Sequence, residues 1–190
     1  FKMVKKKTCV FISGRGSNLR NLILHSRYSN FPIKISLVIC NNKDAFGVKY
    51  AKKYNIPIVF INTKFKSYEN KILFNIRKYN ISFICLAGYM KIISKNLIKN
   101  FHGKKIINIH PSLLPKFKGL NTFSRVLQNN EKKTGCTVHY VNAKLDSGNS
   151  IVQKTFFIST KDNELTLKKK TQILEYKAFP EAIIKIFRNT

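Results

Sequence analysis

Short apolar runs that alternate with helix-like segments constrain the fold of this chain more than any other feature. The apolar runs of strand length are residues 8–13, 34–39, 57–61 and 82–87, and the helix-like segments between them include residues 45–54 and 68–79. After the first run, Leu19, Leu22 and Ile23 recur at helical spacing. Four strand-helix units in series predict an α/β protein with a parallel, doubly wound sheet and helices on both faces.

The pattern changes in the second half of the chain. The remaining predicted elements are helices at residues 94–101, 121–129 and 164–188 and strands at residues 105–109, 136–141 and 150–158. The last two strands alternate polar and apolar side chains, which is typical of half-exposed antiparallel strands. We therefore expect a mostly parallel sheet to which antiparallel strands are added in the C-terminal half.

Length and composition favour a globular enzyme-sized domain. A chain of 190 residues that is 44% hydrophobic predicts one domain over residues 1–190, with halves of about 1–100 and 101–190. No apolar run approaches the roughly 20 residues that span a bilayer, and the start shows no signal-peptide pattern, so we expect a cytoplasmic protein with no membrane partner. The scattered cysteines disfavour zinc and disulfides. Cys9, Cys85 and Cys136 fall in predicted strands, where we expect them in the core.

The charge is extreme for a globular protein. Lys and Arg number 36 against 8 Asp and Glu, which gives a net charge of +28 and raises nucleic acid as a candidate partner. The basic residues are spread along the whole chain, however, and no nucleic-acid-binding module is recognisable. We expect weak, non-specific RNA binding at low salt and no specific nucleic-acid partner. A basic nucleic-acid-binding protein remains the alternative outside enzymes.

An amide and an imidazole end the fifth predicted strand. Asn108 and His110 are two residues apart, so their side chains point to the same side of a strand, and Pro111 extends the backbone after them. Asp146 lies in a later loop rich in Gly and Ser. Together an amide, an imidazole and a carboxylate can polarise a carbonyl, move a proton and stabilise the imidazole's charge. Alternatively, the histidine is structural and the aspartate caps a turn.

The other histidines and the glycine loop give weaker signals. His25, His102 and His139 have no recognisable partners in the sequence, and we interpret them as surface or packing residues. Residues 14–18, Gly-Arg-Gly-Ser-Asn, lie between a predicted strand and helix, where backbone N–H groups and the helix dipole favour an anion. The loop is neither a dinucleotide fingerprint nor a Walker A motif, so NAD and ATP are poorly supported. A plain turn is the alternative.

Five motifs carry a resemblance to a known family. They are residues 13–19 (SGRGSNL), 86–90 (LAGYM), 108–119 (NIHPSLLPKFKG), 135–139 (GCTVH) and 145–148 (LDSG). In order and spacing they resemble the phosphoribosylglycinamide formyltransferases, which are folate-dependent formyltransferases. The resemblance covers nearly the whole chain and implies a Rossmann-like formyltransferase fold. It also implies formyl transfer from 10-formyltetrahydrofolate, as co-substrate, to the amine of glycinamide ribonucleotide in purine biosynthesis, without a metal.

The resemblance also implies a role for each matching residue of the C-terminal half. Asn108 would bind the formyl oxygen and contact the folate, His110 would be the general acid, and Asp146 would stabilise the charged imidazole. Glu175 would contact the glycinamide substrate; on sequence alone it is equally an exposed acid of a long helix. The small-molecule substrates would be the partners, and a homodimer is compatible with the sequence.

In the N-terminal half the resemblance implies binding roles. The substrate phosphate would be bound by Gly16, Ser17 and Asn18, and the folate by Met90, Lys91, Ile92 and Ile93. Some family members place a folate-binding arginine where this chain has Tyr68, so that contact is not expected here. Asn121 and Phe123 likewise stand where histidines are often found.

Related families leave one alternative open. Methionyl-tRNA formyltransferases share the Asn-x-His-Pro block but typically continue with an Arg-Gly-Ala-Ala-Pro-like segment, where this chain has Lys118-Gly-Leu-Asn-Thr122. Formyltetrahydrofolate hydrolases usually replace the proline after the histidine. Because the same three side chains serve every such transfer, formyl transfer to another amine, on a tRNA or a nucleotide sugar, stays an alternative.

Overall fold

A computed structural model describes residues 4–101 and 105–188. The strands are β1 (Lys6–Ile12), β2 (Ile33–Cys40), β3 (Ile58–Phe60), β4 (Phe83–Leu86), β5 (Ile106–His110), β6 (Lys133–Tyr140) and β7 (Ser150–Phe157). The helices are α1 (Ser17–Ser26), α2 (Val48–Lys53), α3 (Tyr68–Lys78), α4 (Lys95–Phe101), α5 (Thr122–Gln128) and α6 (Glu164–Phe187). Every predicted strand and helix is present, with ends that differ mostly by one to three residues.

The strands form one seven-stranded sheet in the order β3-β2-β1-β4-β5-β6-β7. β1 pairs in parallel with β2 and with β4, and β2 pairs in parallel with β3. β6 and β7 pair antiparallel. The predicted fold class, a mostly parallel α/β sheet with antiparallel strands in the C-terminal half, is confirmed.

The chain divides into two compact units, the first ending at Ile107 and the second beginning at Asn108. In the first unit, β1 runs through the core, with residues 8–12 fully buried. Because the chain leaves β1 toward β2 on one side and β4 lies on the other, the carboxyl end of β1 is a topological switch point, where α/β proteins commonly bind ligands.

In the second unit the predicted exposure of the antiparallel strands is correct for β7 and wrong for β6. β7 alternates between exposed and more buried residues, whereas six consecutive residues of β6 are buried. The buried polar side chains of β6 have partners: the Thr137 hydroxyl donates to Ser112 O at 2.7 Å and accepts from Leu114 N–H at 3.1 Å. Thr137 is polar because it bonds a neighbouring loop, and not because it faces water.

Two further predictions of local structure can be compared with the fold. α2 begins at Val48 and not at residue 45, because residues 45–47 form a turn whose Gly47 N–H donates to Gly14 O at 3.0 Å. All four cysteines are buried, which confirms the predicted core positions of Cys9, Cys85 and Cys136. No helix in the part of the chain described is long and apolar enough to cross a membrane. His102 lies outside the described residues.

Candidate active site

Strand β5 carries the first two side chains of the candidate site. Ile106, Ile107 and Ile109 are buried and hold the strand in the core. Asn108 is half-buried and His110 is 5% exposed. Both side chains therefore lie at the end of a strand whose position is fixed by apolar packing.

Both ring nitrogens of His110 face oxygen atoms. Nδ1 lies 3.3 Å from Asp146 Oδ2, and Nε2 lies 2.9 Å from the carbonyl oxygen of Phe117. A carbonyl oxygen only accepts hydrogen bonds, so Nε2 carries a hydrogen. A lone pair on Nδ1 would then oppose a carboxylate, whereas a second hydrogen there would form a charge-assisted bond. The surroundings of the ring thus suit an imidazolium, the form of histidine that can give up a proton.

Asp146 is 9% exposed and lies in the loop after β6, with a left-handed backbone (φ 45°). Its Oδ2 accepts a hydrogen bond from Gly119 N–H at 2.9 Å, in addition to facing His110. Its Oδ1 lies 3.5 Å from Asn108 Nδ2. The structure therefore brings together the amide, the imidazole and the carboxylate that the sequence placed in separate segments.

A second histidine, His139, completes this group, and the interpretation of it as a residue without partners is wrong. It lies on β6, is 2% exposed, and its Nε2 is 3.2 Å from Asn108 Nδ2 and 3.7 Å from Asp146 Oδ1. Burial is the largest of the effects that lower the pKa of His139 below its ordinary value. We refer to Asn108, His110, His139 and Asp146 as the polar cluster.

A signal for His139 existed in the sequence, but it was indirect. His139 takes a polar position of the alternating strand predicted to follow the fifth one. If that face of the strand is buried, a histidine on it needs hydrogen-bond partners. His25, in contrast, lies near the end of α1 and packs against the rings of Phe31 and Tyr28, as a packing residue does.

The loop before α5 is held in place by hydrogen bonds of its own. Arg125 Nη1 donates to Lys118 O at 2.6 Å, and its guanidinium lies over the Phe117 ring at 5.6 Å. Lys118 Nζ donates to the Ser147 hydroxyl at 2.5 Å. These contacts fix the Phe117 carbonyl and the Gly119 N–H, two backbone groups of this loop that contact the polar cluster.

Glu175 is half-buried on α6, the helix that packs against β6 and β7. Burial, and secondarily the charge of Glu175, raise the pKa of the Cys136 thiol to about 12. Glu175 thus lies close to the interior of β6. Its position is compatible with the substrate contact that the resemblance implies, and that contact stays a prediction.

In the first unit the predicted phosphate loop follows β1. Gly16 has a left-handed backbone (φ 69°) and precedes α1, while Ser17 and Asn18 form its first turn. A Cβ on Gly16 would lie only 2.4 Å from the Cα of Gly47. This close approach of two backbones requires glycine, and it fixes the loop at the start of the helix.

The predicted folate segment follows β4 in the same unit. Met90 N–H donates to the Ser13 hydroxyl at 2.8 Å, which ties this segment to the end of β1. Met90 and Ile92 are 66% and 69% exposed, Lys91 is exposed, and Ile93 is 7% exposed and belongs to the core. Two large exposed apolar side chains two residues apart in the chain offer apolar surface to a ligand. Tyr68 donates its hydroxyl to Glu69 at 3.2 Å.

Within residues 4–101 and 105–188, no group of three His, Cys, Asp or Glu side chains is arranged to hold a metal ion. Among the described residues the polar cluster offers an amide, two imidazole rings and a carboxylate. These groups act on protons and on carbonyl oxygens.

The sheet and the polar cluster define a doubly wound α/β protein with an acid–base site at the end of a strand. Residues 6–183 match the sequence model of one family, Formyl transferase. The chain therefore belongs to the formyl transferase family, which uses a folate co-substrate.

Within this family, the chain is similar to phosphoribosylglycinamide formyltransferases. Phosphoribosylglycinamide formyltransferase of Haemophilus influenzae is 38% identical over 94% of this chain and 85% of its own length. The crystal structure of phosphoribosylglycinamide formyltransferase from Bacillus halodurans has a TM-score of 0.91 at 33% identity and covers 95% of each chain. The trifunctional purine biosynthetic protein adenosine-3 of Homo sapiens is 37% identical over 96% of this chain, which spans 18% of that relative's length. The predicted resemblance is confirmed.

Proposed function

We propose that this protein transfers the formyl group of 10-formyltetrahydrofolate to the amine of glycinamide ribonucleotide. The observation that carries the proposal is the polar cluster, in which Asp146 Oδ2 lies 3.3 Å from the ring of His110 and Oδ1 lies 3.5 Å from the amide of Asn108. Formyl transfer needs a hydrogen-bond donor for the formyl oxygen and a group that moves a proton, and the cluster supplies both.

The proposed reaction begins with the attack of the substrate amine on the formyl carbon. A new C–N bond forms and negative charge develops on the formyl oxygen, which Asn108 and the protonated ring of His110 stabilise. The intermediate collapses when the bond from the formyl carbon to N10 of the folate breaks. The amine loses a proton and N10 gains one, so that formylglycinamide ribonucleotide and tetrahydrofolate are released.

Asp146 supports this step by its charge and its position. A carboxylate beside the ring favours the imidazolium. The Gly119 N–H donates to Asp146 Oδ2 at 2.9 Å and holds the carboxylate in this position. The Nε2 hydrogen of His110 faces the Phe117 carbonyl at 2.9 Å. The Phe117 carbonyl therefore occupies this hydrogen. We infer that the formyl oxygen replaces the carbonyl as the acceptor when the substrate binds, because the hydrogen must leave the carbonyl before it can be donated to the substrate.

The binding roles are part of the same proposal. Gly16, Ser17 and Asn18 bind the ribonucleotide phosphate with backbone and side-chain donors at the start of α1. The folate contacts are proposed for Met90, Lys91, Ile92, Ile93 and Asn108, with the two exposed apolar side chains against the pterin. Glu175 contacts the glycinamide moiety. The net charge of +28 favours the approach of both anionic substrates.

A comparison of acceptors tests the proposal. The purified protein is mixed with 10-formyltetrahydrofolate, and deformylation is followed by absorbance with glycinamide ribonucleotide, with methionyl-tRNA, with an amino nucleotide sugar, or with no acceptor. We expect turnover that depends on glycinamide ribonucleotide. Faster turnover with another amine would establish the alternative substrate, and turnover without acceptor would indicate a hydrolase. No turnover in any arm would contradict the proposed function.

A further inference from the structure

His139 is buried against the residues proposed to do the chemistry, and the reaction described above gives it no role. Its Nδ1 lies 2.8 Å from the carbonyl oxygen of the neighbouring residue, Tyr140. Because a carbonyl oxygen can only accept, Nδ1 must carry a hydrogen. In a neutral ring Nε2 then has a lone pair and no hydrogen, so it can only accept.

The amide of Asn108 meets this lone pair. Its Nδ2 lies 3.2 Å from His139 Nε2. The two orientations of an asparagine amide have the same shape, and only the hydrogen-bond network separates them. With the oxygen turned inward, the amide would place one lone pair against that of His139 and another against the carboxylate of Asp146. With the nitrogen inward, one N–H donates to His139 Nε2 and the other faces Asp146 Oδ1.

We propose that His139 is a positioning residue: as a neutral imidazole with its hydrogen on Nδ1, it accepts one N–H of Asn108 and so fixes the amide nitrogen inside the active site. The second N–H faces Asp146 Oδ1 at 3.5 Å, which is longer than an ordinary hydrogen bond. That hydrogen is the one available to the formyl oxygen. This inference rests on the proposed function, in which Asn108 acts as a donor.

The charges around the ring are consistent with a neutral His139. Burial has the largest effect and lowers the pKa of His139. The hydrogen bond to Tyr140 O and the charge of Asp146 favour protonation, whereas His110 and Lys118 oppose it, and the pKa stays below its ordinary value. These groups face the ring from β5, from the loop before α5 and from the loop after β6. A proton on Nε2 would remove the acceptor that orients the amide.

The tautomer can be measured on the unmodified protein without any assay of activity. Nitrogen-15 NMR of the protein labelled at histidine distinguishes a protonated ring nitrogen from an unprotonated one, and the spectrum of His139→Gln identifies the signal. At pH 7.5 we expect an unprotonated Nε2 and a protonated Nδ1 for His139. A hydrogen on Nε2 at this pH, in the neutral Nε2–H tautomer or in the charged ring, would overturn the inference.

Two matched variants test the consequence for turnover. His139→Phe removes the acceptor and keeps a planar ring, whereas His139→Gln offers an amide oxygen at about the reach of Nε2. We expect His139→Phe to lower kcat by about tenfold to a hundredfold with little change in KM, less than the roughly 10²–10³-fold typical of losing a donor outright. We expect His139→Gln to recover most of that loss.

A double-mutant cycle then separates positioning from a direct role. If His139 acts through Asn108, His139→Phe should lower kcat no further in an Asn108→Ala background. Multiplicative losses would overturn the inference. Thermal unfolding of each variant shows whether it folds, and if His139→Phe does not, the tautomer measurement decides alone. Absence of formyl transfer in the unmodified protein would contradict the proposed function while leaving the tautomer result intact.

Discussion

The two compact units carry their candidate sites in different ways. In the second unit the site consists of buried and half-buried side chains that face one another. The carboxylate of Asp146, for example, faces His110, Asn108 and His139. In the first unit the site consists of backbone: a left-handed glycine at the start of a helix, held against Gly47, with exposed apolar side chains nearby.

This difference determines which amino-acid substitutions each site tolerates. Removing one member of a buried, mutually bonded group leaves its partners buried without a hydrogen bond, which is costly for stability and for chemistry. A site made of backbone groups depends on the local backbone conformation. Most substitutions around it should therefore affect binding only slightly, and only those that push the two backbone segments apart should affect it strongly. Variants of the polar cluster should therefore change kcat, and variants of the glycine loop in the first unit should change KM.

The largest expected effect is that of His110→Ala. Losing the general acid should lower kcat by about 10²–10⁴-fold, while both substrates still bind with nearly unchanged affinity, because the ring acts on the reacting oxygen. Steady-state kinetics and equilibrium binding measure the two quantities separately. His25→Ala removes a histidine of the first unit as a control and should retain full turnover. Near-normal turnover in His110→Ala would exclude the proposed role of the ring.

The Asp146→Asn variant tests whether charge, and not shape, is what the second unit needs at this position. The amide keeps an acceptor for Gly119 N–H but no longer stabilises the imidazolium. An opposite charge at this distance typically changes the population of the charged form by about 10- to 10³-fold, and we expect a loss of turnover in that range. The limb of the pH–rate profile that reports the acid should move to lower pH. An unshifted profile would contradict the electrostatic role of Asp146.

Much of this architecture could be predicted from the sequence, and the failures have a common cause. Strand positions follow from apolar runs because burial in a parallel sheet requires them, and β1 through β5 lie where the runs predict. The start of α2 was wrong because Gly47 bonds Gly14 and packs against Gly16, far away in sequence. Local patterns do not contain such contacts.

The same limit applies to the candidate site. Asn108 and His110 could be assigned to one strand face from their spacing alone. Asp146 could be named as a candidate from its Gly- and Ser-rich loop, and the family resemblance gave it a role beside His110. His139 was missed because its contact with Asn108 depends on how separate segments pair. The carbonyl of Phe117 and the N–H of Gly119 could not be predicted at all, since every residue carries these groups and only the loop conformation aims them.

Gly47→Ala should have a smaller effect, and on KM. A Cβ at this position would lie 2.8 Å from Ile12 Cδ1 and 2.9 Å from Gly16 Cα, so the glycine loop must shift. Such overpacking costs about 1–3 kcal/mol, and we expect the KM for glycinamide ribonucleotide to rise about tenfold with kcat nearly unchanged. Gly14→Ala is the matched control, since a Cβ there meets no described atom within 4 Å, and it should raise KM less. A fall in kcat at constant KM would contradict the division of roles between the units.

The smallest effect is expected for Asp162→Asn, which sharpens the comparison within the second unit. Like Asp146, Asp162 bonds several donors, but they are local: Ser159 N–H at 2.8 Å, the Thr166 hydroxyl at 2.8 Å and Lys170 Nζ at 2.6 Å. The Lys170 ammonium is the main cause that lowers the pKa of Asp162 to about 2. Since the folded pKa lies below the unfolded value of 3.8, its stabilising contribution is present above about pH 4 and is lost as the pH falls toward 2. Thermal unfolding should therefore show the unmodified protein to be the more stable at pH 6 and the difference to vanish near pH 2, with turnover the same in both proteins at pH 7.5. A stability difference that persists at pH 2 would show that the charge of the Asp162 carboxylate is not its cause. A loss of turnover in Asp162→Asn would show that the start of α6, and not only the polar cluster, determines the chemistry of this unit.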